Sequence, residues 1–481
     1  MPSTNFVPGT VVTSDWLNDV DAHVFYGRQW TSHQMVNVKD PQYGGVGDGV
    51  TDDTLAMAAA HATGKTVFYP AGTYKFTKLS TTITSGGIVG EGQTQTILFS
   101  TDTSTDDLFT FVGNSPGGIG NGLTFRDFQI QGTKSGDNPA KADGAGIAIA
   151  PTSGENSYAS FLNVTTTYMP IGFDFVAASL WRVVSCNFLS YTIAGIQVAN
   201  TNVADSGDSS ITSCVFNNPY TTGSGIYQKS SGGLKVVSNK FLGGLRGYTM
   251  ALEDSTSVLV IAANSFENMT GADIALSRAV AGKAFVNVCI TGNEFSVGGV
   301  AIATDANAFL SEVNISSNQI NMGAVGSNAC IALNNVTDFF IGSNIIKGNG
   351  GLGSSAINIT SCTNGKIGPN TYANLPNPIS VSSSPTVSVD YDTQYGTSPA
   401  SSTSGYTSYG TLYLGPSVSV TFPIAFLDAP SPEAITLTSA LGNGCLGGIV
   451  TSTSTTGFTF QPISSITGVA AQCYWSAEGI I

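Results

Sequence analysis

The chain has 481 residues and is acidic, with a formal net charge of −14 and only 10% charged residues. Binding to DNA or RNA is not expected, because phosphate contacts require clusters of Lys and Arg. The sequence contains no run of about 18 apolar residues that would predict a membrane span. The seven Cys are widely spaced and form no zinc-type pair, so we expect free structural thiols and no metal or other cofactor.

The first predicted elements lie around a turn rich in glycine and aspartate, "GVGDGVTDDT" (45–54). The overlapping stretch "TDDTLAMAAAHATG" (51–64) predicts a helix that Thr51 or Asp52 can cap. "KTVFYPAGTYKF" (65–76) predicts two strands joined by a Pro-Ala-Gly turn. The aspartate spacing fits neither an EF-hand loop nor a phosphate-binding loop. We therefore interpret these acids as structural groups that tie the turn and start the helix.

A motif repeats along the middle of the chain, between about residues 180 and 372. Each copy is an apolar strand end, a small residue, Cys or Asn, a variable residue and an apolar residue. The key positions are Cys186, Cys214, Asn239, Asn264, Asn293, Asn318, Asn344 and Asn370. Eight repeats of roughly 26 residues, with two or three short strands each, predict a parallel β-helix. Asn suits such a ladder because it tolerates a left-handed corner and its amide can bond its counterpart one coil away.

The pattern changes past residue 378. Residues 379–410 are rich in Ser, Thr and Gly and predict an extended crossing segment. Strand-like runs recur over 411–481 and predict a small β-sandwich-like domain. The predicted fold class is therefore all-β, a parallel β-helix of about ten coils with a short helix cap before it and a β-domain after it.

Three stretches resemble a known family. "GGVGDGVTDDTLAMAAAHATGKTVFYPAGTYKF" (44–76) resembles the opening of the pectate-lyase-like right-handed β-helix superfamily, in its phage tailspike branch. "PGTVVTSDWLNDV" (8–20) resembles the virion-attachment segment of such proteins, and residues 417–480 resemble a C-terminal β-domain of phage tail fibres. The resemblance implies a homotrimeric tailspike that binds, and usually cleaves, a bacterial surface polysaccharide.

The resemblance also implies a division of the chain and a set of partners. We expect a virion-attachment segment (1–32), a cap with the first coils (33–110), a β-helix with the substrate groove (111–378), the crossing segment (379–410) and a domain for trimerisation or carbohydrate binding (411–481). Expected partners are capsule, O-antigen or exopolysaccharide, two further copies of the chain, and a phage tail, baseplate or adaptor protein bound through the N-terminal segment. The protein would be made in the host cytoplasm, carried on the phage tail and active at the host surface.

Candidate catalytic residues must be sought within the solenoid. All three His (His23, His33 and His61) precede it, and glycosidic hydrolysis usually needs two carboxyl groups. Aligning the second strands of the coils points Val198, Gln228, Leu252, Leu276 and Ile302 inward. A first patch then joins Glu253 and Asp254 to Asp305, roughly 10 Å away over two coils. A second patch joins Glu267 to Glu294, roughly 8 Å away.

Polar and aromatic side chains near the first patch are candidates for substrate binding, because aromatic faces and Arg forks suit sugar rings and acidic sugars. The candidates are Tyr227, Lys229, Arg246, Tyr248, Asp273, Arg278 and Trp181; Asp174 could also bind sugar, at the upstream edge with Trp181. The sequence leaves three functions open. These are an endo-glycosidase, a polysaccharide lyase with Lys229, Tyr227 or Arg246 as base, and a receptor-binding spike without catalysis. No Gly-His-Gly is present, which puts pectin as the substrate in doubt.

Overall fold

The computed structural model describes most of the chain between residues 35 and 389 and six strands beyond it. The described residues are 35–79, 82–112, 122–150, 158–176, 178–199, 208–230, 232–253, 255–297, 300–322, 329–348, 355–373, 375, 379–384, 386–389, 408–413, 418–421, 435–439, 448–454, 457–462 and 472–477. The predicted virion-attachment segment lies outside them, as do residues 390–407 of the crossing segment.

The solenoid strands, in chain order, are β1 (Met35–Asn37), β2 (Asp48–Asp52), β3 (Thr66–Phe68), β4 (Gly72–Phe76), β5 (Gly87–Val89), β6 (Thr96–Ser100), β7 (Phe109–Phe111), β8 (Thr124–Gln131), β9 (Lys134–Ser135), β10 (Asn138–Pro139), β11 (Ala145–Ile149), β12 (Ser160–Thr167), β13 (Ile171–Val176), β14 (Arg182–Val184), β15 (Asn187–Leu189), β16 (Ala194–Ala199), β17 (Ser210–Thr212), β18 (Val215–Asn218), β19 (Ser224–Gln228), β20 (Leu234–Val237), β21 (Lys240–Gly243), β22 (Arg246–Leu252), β23 (Thr256–Ala262), β24 (Ser265–Glu267), β25 (Ile274–Arg278), β26 (Phe285–Thr291), β27 (Glu294–Val297), β28 (Ile302–Thr304), β29 (Leu310–Ser316), β30 (Gln319–Met322), β31 (Ile331–Asn334), β32 (Val336–Gly342), β33 (Ile345–Lys347), β34 (Ile357–Thr360), β35 (Lys366–Ile367), β36 (Thr371–Ala373), β37 (Ile379–Ser382) and β38 (Ser388–Val389).

Apart from β9 and β10, which form a separate antiparallel pair, these strands form a parallel β-helix with three faces. A 25-stranded sheet wraps around two of them, and an 11-stranded sheet forms the third. On the first face β14 pairs with β17 and β17 with β20; on the second face β15 pairs with β18 and β18 with β21. The third face runs β7, β11, β13, β16, β19, β22, β25, β28, β31, β34 and β37. The predicted parallel β-helix is confirmed, with eleven strands on its third face rather than about ten coils.

The core is a continuous apolar column, because alternate side chains of each strand point inward. Stacked phenylalanines fill its centre, and the rings of Phe216, Phe241 and Phe266 lie 4.7 Å apart in steps of one coil. Glycine opposite the stack makes this packing possible. A Cβ atom on Gly247 would lie 2.5 Å from the Phe266 ring, closer than any real contact.

The Asn ladder is confirmed, but its backbone geometry differs from the prediction. Asn264 donates its amide N–H to Asn293 Oδ1 at 3.0 Å, and Asn293 donates in the same way to Asn318 at 3.0 Å. The left-handed corner is occupied by the residue before each rung, such as Ser238 (φ 58°) and Ala263 (φ 55°). The Asn side chains are buried inside the corner, where only another amide can satisfy them.

The turn before the first complete coil holds the three aspartates in structural positions. Asp53 is buried and accepts hydrogen bonds from the backbone N–H groups of Val46 (2.7 Å) and Gly47 (3.1 Å). Asp48 accepts the N–H groups of Val50 and Thr51. The helix α1 (Thr54–His61) begins after Asp53, which makes no side-chain cap. The prediction that Thr51 or Asp52 occupies the N-cap position was therefore wrong, and the acids mainly tie the turn.

The C-terminal strands are antiparallel, in contrast to the solenoid. They are β39 (Ser408–Tyr413), β40 (Val418–Thr421), β41 (Ile435–Ser439), β42 (Gly448–Ser454), β43 (Gly457–Pro462) and β44 (Gln472–Ala477). They form two three-stranded sheets, β39-β44-β41 and β40-β43-β42. Across the described part of the chain, no helix has the length and apolar character needed to cross a membrane.

Candidate functional site

The strand register changes the geometry of the first predicted patch. Gln228 pairs with Met250, Met250 with Leu276, and Leu276 with Thr304, so Leu252 is not the equivalent of Gln228. This register places Glu253 and Asp305 two strands and about two residues apart, roughly 12 Å between Cα atoms. Both side chains are exposed.

The acids of this patch also have local structural roles. Glu253 lies 3.8 Å from Lys229, and the Asp305 carboxylate accepts the N–H of Asn307 in its own turn at 2.9 Å. Asp254 lies outside the described residues. Of the predicted cations nearby, Arg246 is half-buried, and the half-buried Arg278 guanidinium lies over the exposed Phe309 ring at 5.1 Å.

Three predicted substrate-binding residues are in the core instead, which contradicts their assignment. Trp181 is buried and stacks on Phe175 at 3.9 Å, and Tyr248 is buried and donates its hydroxyl to Gln228. Asp273 is also fully buried, and neither of its oxygens has a hydrogen-bond partner among the described residues. Burial raises the pKa of Asp273 well above its usual value, so this carboxyl is neutral inside the apolar core.

The second predicted patch is a surface ion-pair group on the second face. Glu294 pairs in register with Ser265, so it lies one strand and two residues from Glu267, as expected from the sequence. Glu267 accepts from Lys240 at 3.1 Å and from the Ser265 hydroxyl at 3.3 Å. Exposed pairs of this kind are common on protein surfaces and contribute little on their own.

The third face carries a more strongly perturbed acid, Asp174. In register along the outer side of this face lie Thr110, Ala148, Asp174, Gln197 and Tyr227. Gln197 donates its amide to Asp174 Oδ2 at 3.2 Å, whereas the buried Oδ1 atom has no partner among the described residues.

Two loops next to Asp174 bring further acids to the same face. The loop 101–108 precedes β7, and the loop 132–144 precedes β11. Asp107 accepts the backbone N–H of Ala145 at 2.8 Å, which ties the first loop to the start of β11. Gly144 (φ 90°) allows their close approach, because a Cβ atom there would lie 2.4 Å from the Asp106 carbonyl oxygen. The two loops thus hold Asp107 and Asp143 in fixed places.

A cavity of about 410 Å³ opens on this side of the solenoid. It is lined by Lys78, Leu79, Thr105, Asp106, Asp107 and Thr110. Thr110 is two strands from Asp174 in the outer row of the third face, and Ala148 lies between them with only 1% of its surface exposed. We call the cavity together with Asp107, Asp143, Asp174, Gln197 and Tyr227 the recess.

Electrostatics separate the protonation states of the two best-placed acids. Burial, followed by the charge of Asp107, raises the pKa of Asp174 to about 7. Burial also raises the pKa of Asp107, while the N–H of Ala145 and the charge of Lys141 oppose that rise. Below about pH 7 a proton therefore resides on Asp174, and the neighbouring charge of Asp107 helps to hold it there. A neutral acid beside an ionised one is the arrangement that acid–base chemistry needs.

The remaining polar groups of the recess are suited to a saccharide rather than to a metal. The Lys229 ammonium lies 5.9 Å from the centre of the half-buried Tyr227 ring. Aromatic faces beside polar groups are typical of sugar-binding surfaces. Within the described residues, no three His, Cys, Asp or Glu side chains converge as metal ligands.

The sequence analysis named some residues of the recess and missed others. Tyr227 and Lys229 were predicted to bind substrate, and Asp174 was considered only as an upstream sugar contact. Asp107 and Asp143 were not singled out, since they lie in early coils that precede the 26-residue repeat, and Gln197 was not singled out although its strand lies within the repeat. The alternation of β13, which points Asp174 outward between Phe173 and Phe175, was the available signal.

Comparisons with known proteins agree with this fold. Residues 35–130 match the family described as rhamnogalacturonase A/epimerase, pectate lyase-like. A tailspike protein mutant of the E. coli bacteriophage HK620, solved with a hexasaccharide, aligns with a TM-score of 0.52 at 13% identity, over 93% of each chain. A family 28 exopolygalacturonase of Yersinia enterocolitica aligns with a TM-score of 0.52 at 12% identity, over 75% of this chain and 79% of that chain. No curated protein sequence matches the chain. The chain therefore has the parallel β-helix fold of the pectate-lyase-like proteins, the fold found in that tailspike and that polygalacturonase.

Proposed function

We propose that this protein is a phage tailspike that binds and depolymerises a bacterial surface polysaccharide by endo-glycosidic hydrolysis at the recess. The fold is shared with a phage tailspike solved with a hexasaccharide and with an exopolygalacturonase. The N-terminal and C-terminal resemblances to tail proteins support the same function. The observation that carries the proposal is the half-buried, outward-facing Asp174 carboxyl, which accepts a hydrogen bond from Gln197 and whose pKa is raised by burial and by the charge of Asp107.

The two acids divide the reaction between them. Asp174 gives its proton to the glycosidic oxygen as the bond to the anomeric carbon breaks. A water molecule attacks that carbon, and the Asp107 carboxylate takes the proton that this water loses. Asp107 lies three residues before Thr110, which is two strands from Asp174 in register, so the Cα atoms of the two acids are roughly 14 Å apart. Because each carboxyl group extends a few ångströms from its Cα atom, a facing pair would be too far apart for the about 5–5.5 Å of a retaining enzyme and nearer the about 6.5–9.5 Å of an inverting one, so we propose inversion.

The test is Asp174→Asn, which keeps the shape of the side chain and the bond to Gln197. We expect kcat on the host polysaccharide to fall by about 10²- to 10⁴-fold, the usual contribution of a general acid. Wild-type activity should fall as the pH rises through about 7, because Asp174 then loses its proton. Reducing-end release from purified host polysaccharide measures both effects.

Matched control variants come from the two patches that the sequence first suggested. Glu267→Gln and Asp305→Asn each remove one carboxylate from surface groups away from the recess. We expect both to keep wild-type activity within about two-fold. Loss of activity in either variant, with Asp174→Asn fully active and folded, would move the catalytic centre back to that patch.

A lyase is the second candidate, because the Tyr227 hydroxyl and the Lys229 ammonium lie on the same face as Asp174. β-Elimination would leave a double bond in the product, which absorbs ultraviolet light, whereas hydrolysis would not. A receptor-binding spike without catalysis would leave the polysaccharide intact after long incubation, and Asp174→Asn would then change nothing.

The assembly and location are part of the same proposal. We propose a homotrimer carried on the phage tail, with residues 1–32 bound to a tail, baseplate or adaptor protein and residues 411–481 serving trimerisation or carbohydrate binding. Closed cyclic symmetry would cover the flanks of the solenoid. Light scattering of the full chain tests the trimer, and a monomeric mass would contradict it.

A further inference from the structure

The recess is rich in acids, and its cations are already bound. Asp107 and Asp174 are surrounded by charged groups that shift the pKa of one or the other. With the pair itself, these are four carboxyl groups and two ammonium groups: Asp106, Asp107, Asp143, Asp174, Lys141 and Lys229. Lys78, which lines the cavity, brings the ammonium groups to three, and each of them is paired with an acid other than Asp107 and Asp143. A substrate that enters this recess therefore meets two carboxyl groups that no cation compensates.

Lys141 cannot offer its charge to a ligand. Its side chain is only 3% exposed and it binds Asp102 at 2.6 Å. It also donates to the carbonyl oxygen of Ser104. An ammonium group that is buried and bonded in this way serves to hold the loop 101–108 in place.

Lys229 and Lys78 are also engaged, although both are more exposed. Lys229 lies 3.8 Å from Glu253, and Lys78, which lines the cavity, pairs with Asp106. Recognition of a carboxylate normally uses a free Lys or a bidentate Arg. Among the described residues that line the recess there is no Arg, and each Lys already faces an acid.

We propose that the sugar bound beside Asp174 is uncharged, so that the recess takes a neutral or N-acetylated glycan and discriminates against uronic acids and other anionic sugars. This inference rests on the proposed function, because it names the substrate class of the same site. The physical reason is that a carboxylate on the sugar would lie near Asp107 and Asp143, while the three Lys of the recess are already paired with other acids. Specificity of this kind arises from repulsion as much as from attraction.

A matched pair of probes tests the proposal without knowledge of the host sugar. Trigalacturonate and its fully methyl-esterified form share one backbone and differ in charge. We expect the ester to bind wild-type protein at least about 10-fold more tightly in ligand-observed NMR, as repulsion across a partly buried site predicts. The signal should change in Asp174→Asn, which locates the binding in the recess.

Charge variants sharpen the result. Asp143→Asn removes one repelling charge, and Glu253→Gln frees Lys229; each should reduce the preference for the ester several-fold. Glu294→Gln changes the net charge equally on the second face and should leave the preference unchanged. Equal binding of the two probes, tighter binding of the free acid, or no binding of either would overturn the inference.

Failure of this inference is distinguishable from failure of the proposed function. If the protein cleaves host polysaccharide and mass spectrometry finds a carboxylated sugar at the cleaved bond, the function stands and the neutral-substrate inference is wrong. If no polysaccharide is cleaved while the ester still binds preferentially at the recess, the hydrolase proposal fails and the charge selection remains.

Discussion

The buried imidazole of His61 allows the pH dependence of the folding stability to be predicted from its surroundings. It is the last residue of α1, it is 3% exposed, and its ring lies among Tyr69, Phe109 and Phe111 at centroid distances of 5.9–6.1 Å. Its Nε2 atom lies 3.0 Å from the Tyr69 hydroxyl, and Nδ1 has no partner among the described residues. Burial lowers the pKa of His61 from 6.5 to about 3, because a charged ring would lose its hydration there.

The direction of the pH effect follows from this shift. The folded protein keeps His61 neutral, whereas the unfolded chain takes up a proton below pH 6.5, so stability is present above 6.5 and is lost as the pH falls. With about 1.36 kcal/mol per pKa unit, the loss is about 2 kcal/mol at pH 5 and about 3 kcal/mol at pH 4.

The perturbation is His61→Phe, which keeps an aromatic ring in the cluster and cannot titrate. The assay is the urea midpoint at pH 8 and pH 5, followed by circular dichroism. We expect the wild type to lose about 2 kcal/mol more than the variant between these two pH values. Tyr69→Phe is the matched control, because it removes the hydroxyl partner and leaves the buried imidazole. It should keep the wild-type pH dependence, and the reasoning is refuted if His61→Phe keeps that dependence as well.

Three further predictions concern the solenoid, and thermal unfolding of each variant checks them. Asp273→Ala should stabilise by about 1–3 kcal/mol at pH 8, because it removes a buried carboxyl without a described partner. The gain should shrink towards pH 4, since the raised pKa of Asp273 makes its cost appear only as the pH rises above its usual value. Val258→Asn should stabilise by about 1 kcal/mol, because Val258 has φ 64°, where a β-branched residue is strained; Val258→Ala should gain less. Asn293→Ala should destabilise by about 3–5 kcal/mol, because it removes two hydrogen bonds donated by its amide and two accepted from Asn264; an unchanged melting temperature would mean that the ladder contributes no net stability.

The predicted positions of the site residues depended on the register assumed between neighbouring strands. Errors in that register explain most of the differences between the predicted and the observed positions. The second strands were aligned from apolar spacing, which put Leu252 where Met250 lies. A slip of two residues keeps the inward and outward faces correct, because side chains alternate with a period of two. The slip still moves Glu253 along the third face, so that it no longer lies where it was expected to pair with Asp305. Trp181 and Tyr248 were also misplaced. Tyr248 lies four residues before the inward Leu252 on the same strand, so alternation already pointed it inward, whereas Trp181 lies just before β14, where alternation does not define a face.

The sequence by itself determined the solenoid, the Asn ladder and the structural role of the aspartate turn. Each Asn of the ladder from Asn239 to Asn344 donates a hydrogen bond to the Asn one coil later. The spacing of the repeat in the sequence therefore gives these contacts directly. Only the tertiary structure decided which acids lie close together. Asp107 and Asp143 lie in loops that do not follow the period, and Asp174 is many residues away from both. Their shared recess arises because parallel coils stack those loops on the third face, and the burial that raises the pKa of Asp174 comes from that stacking.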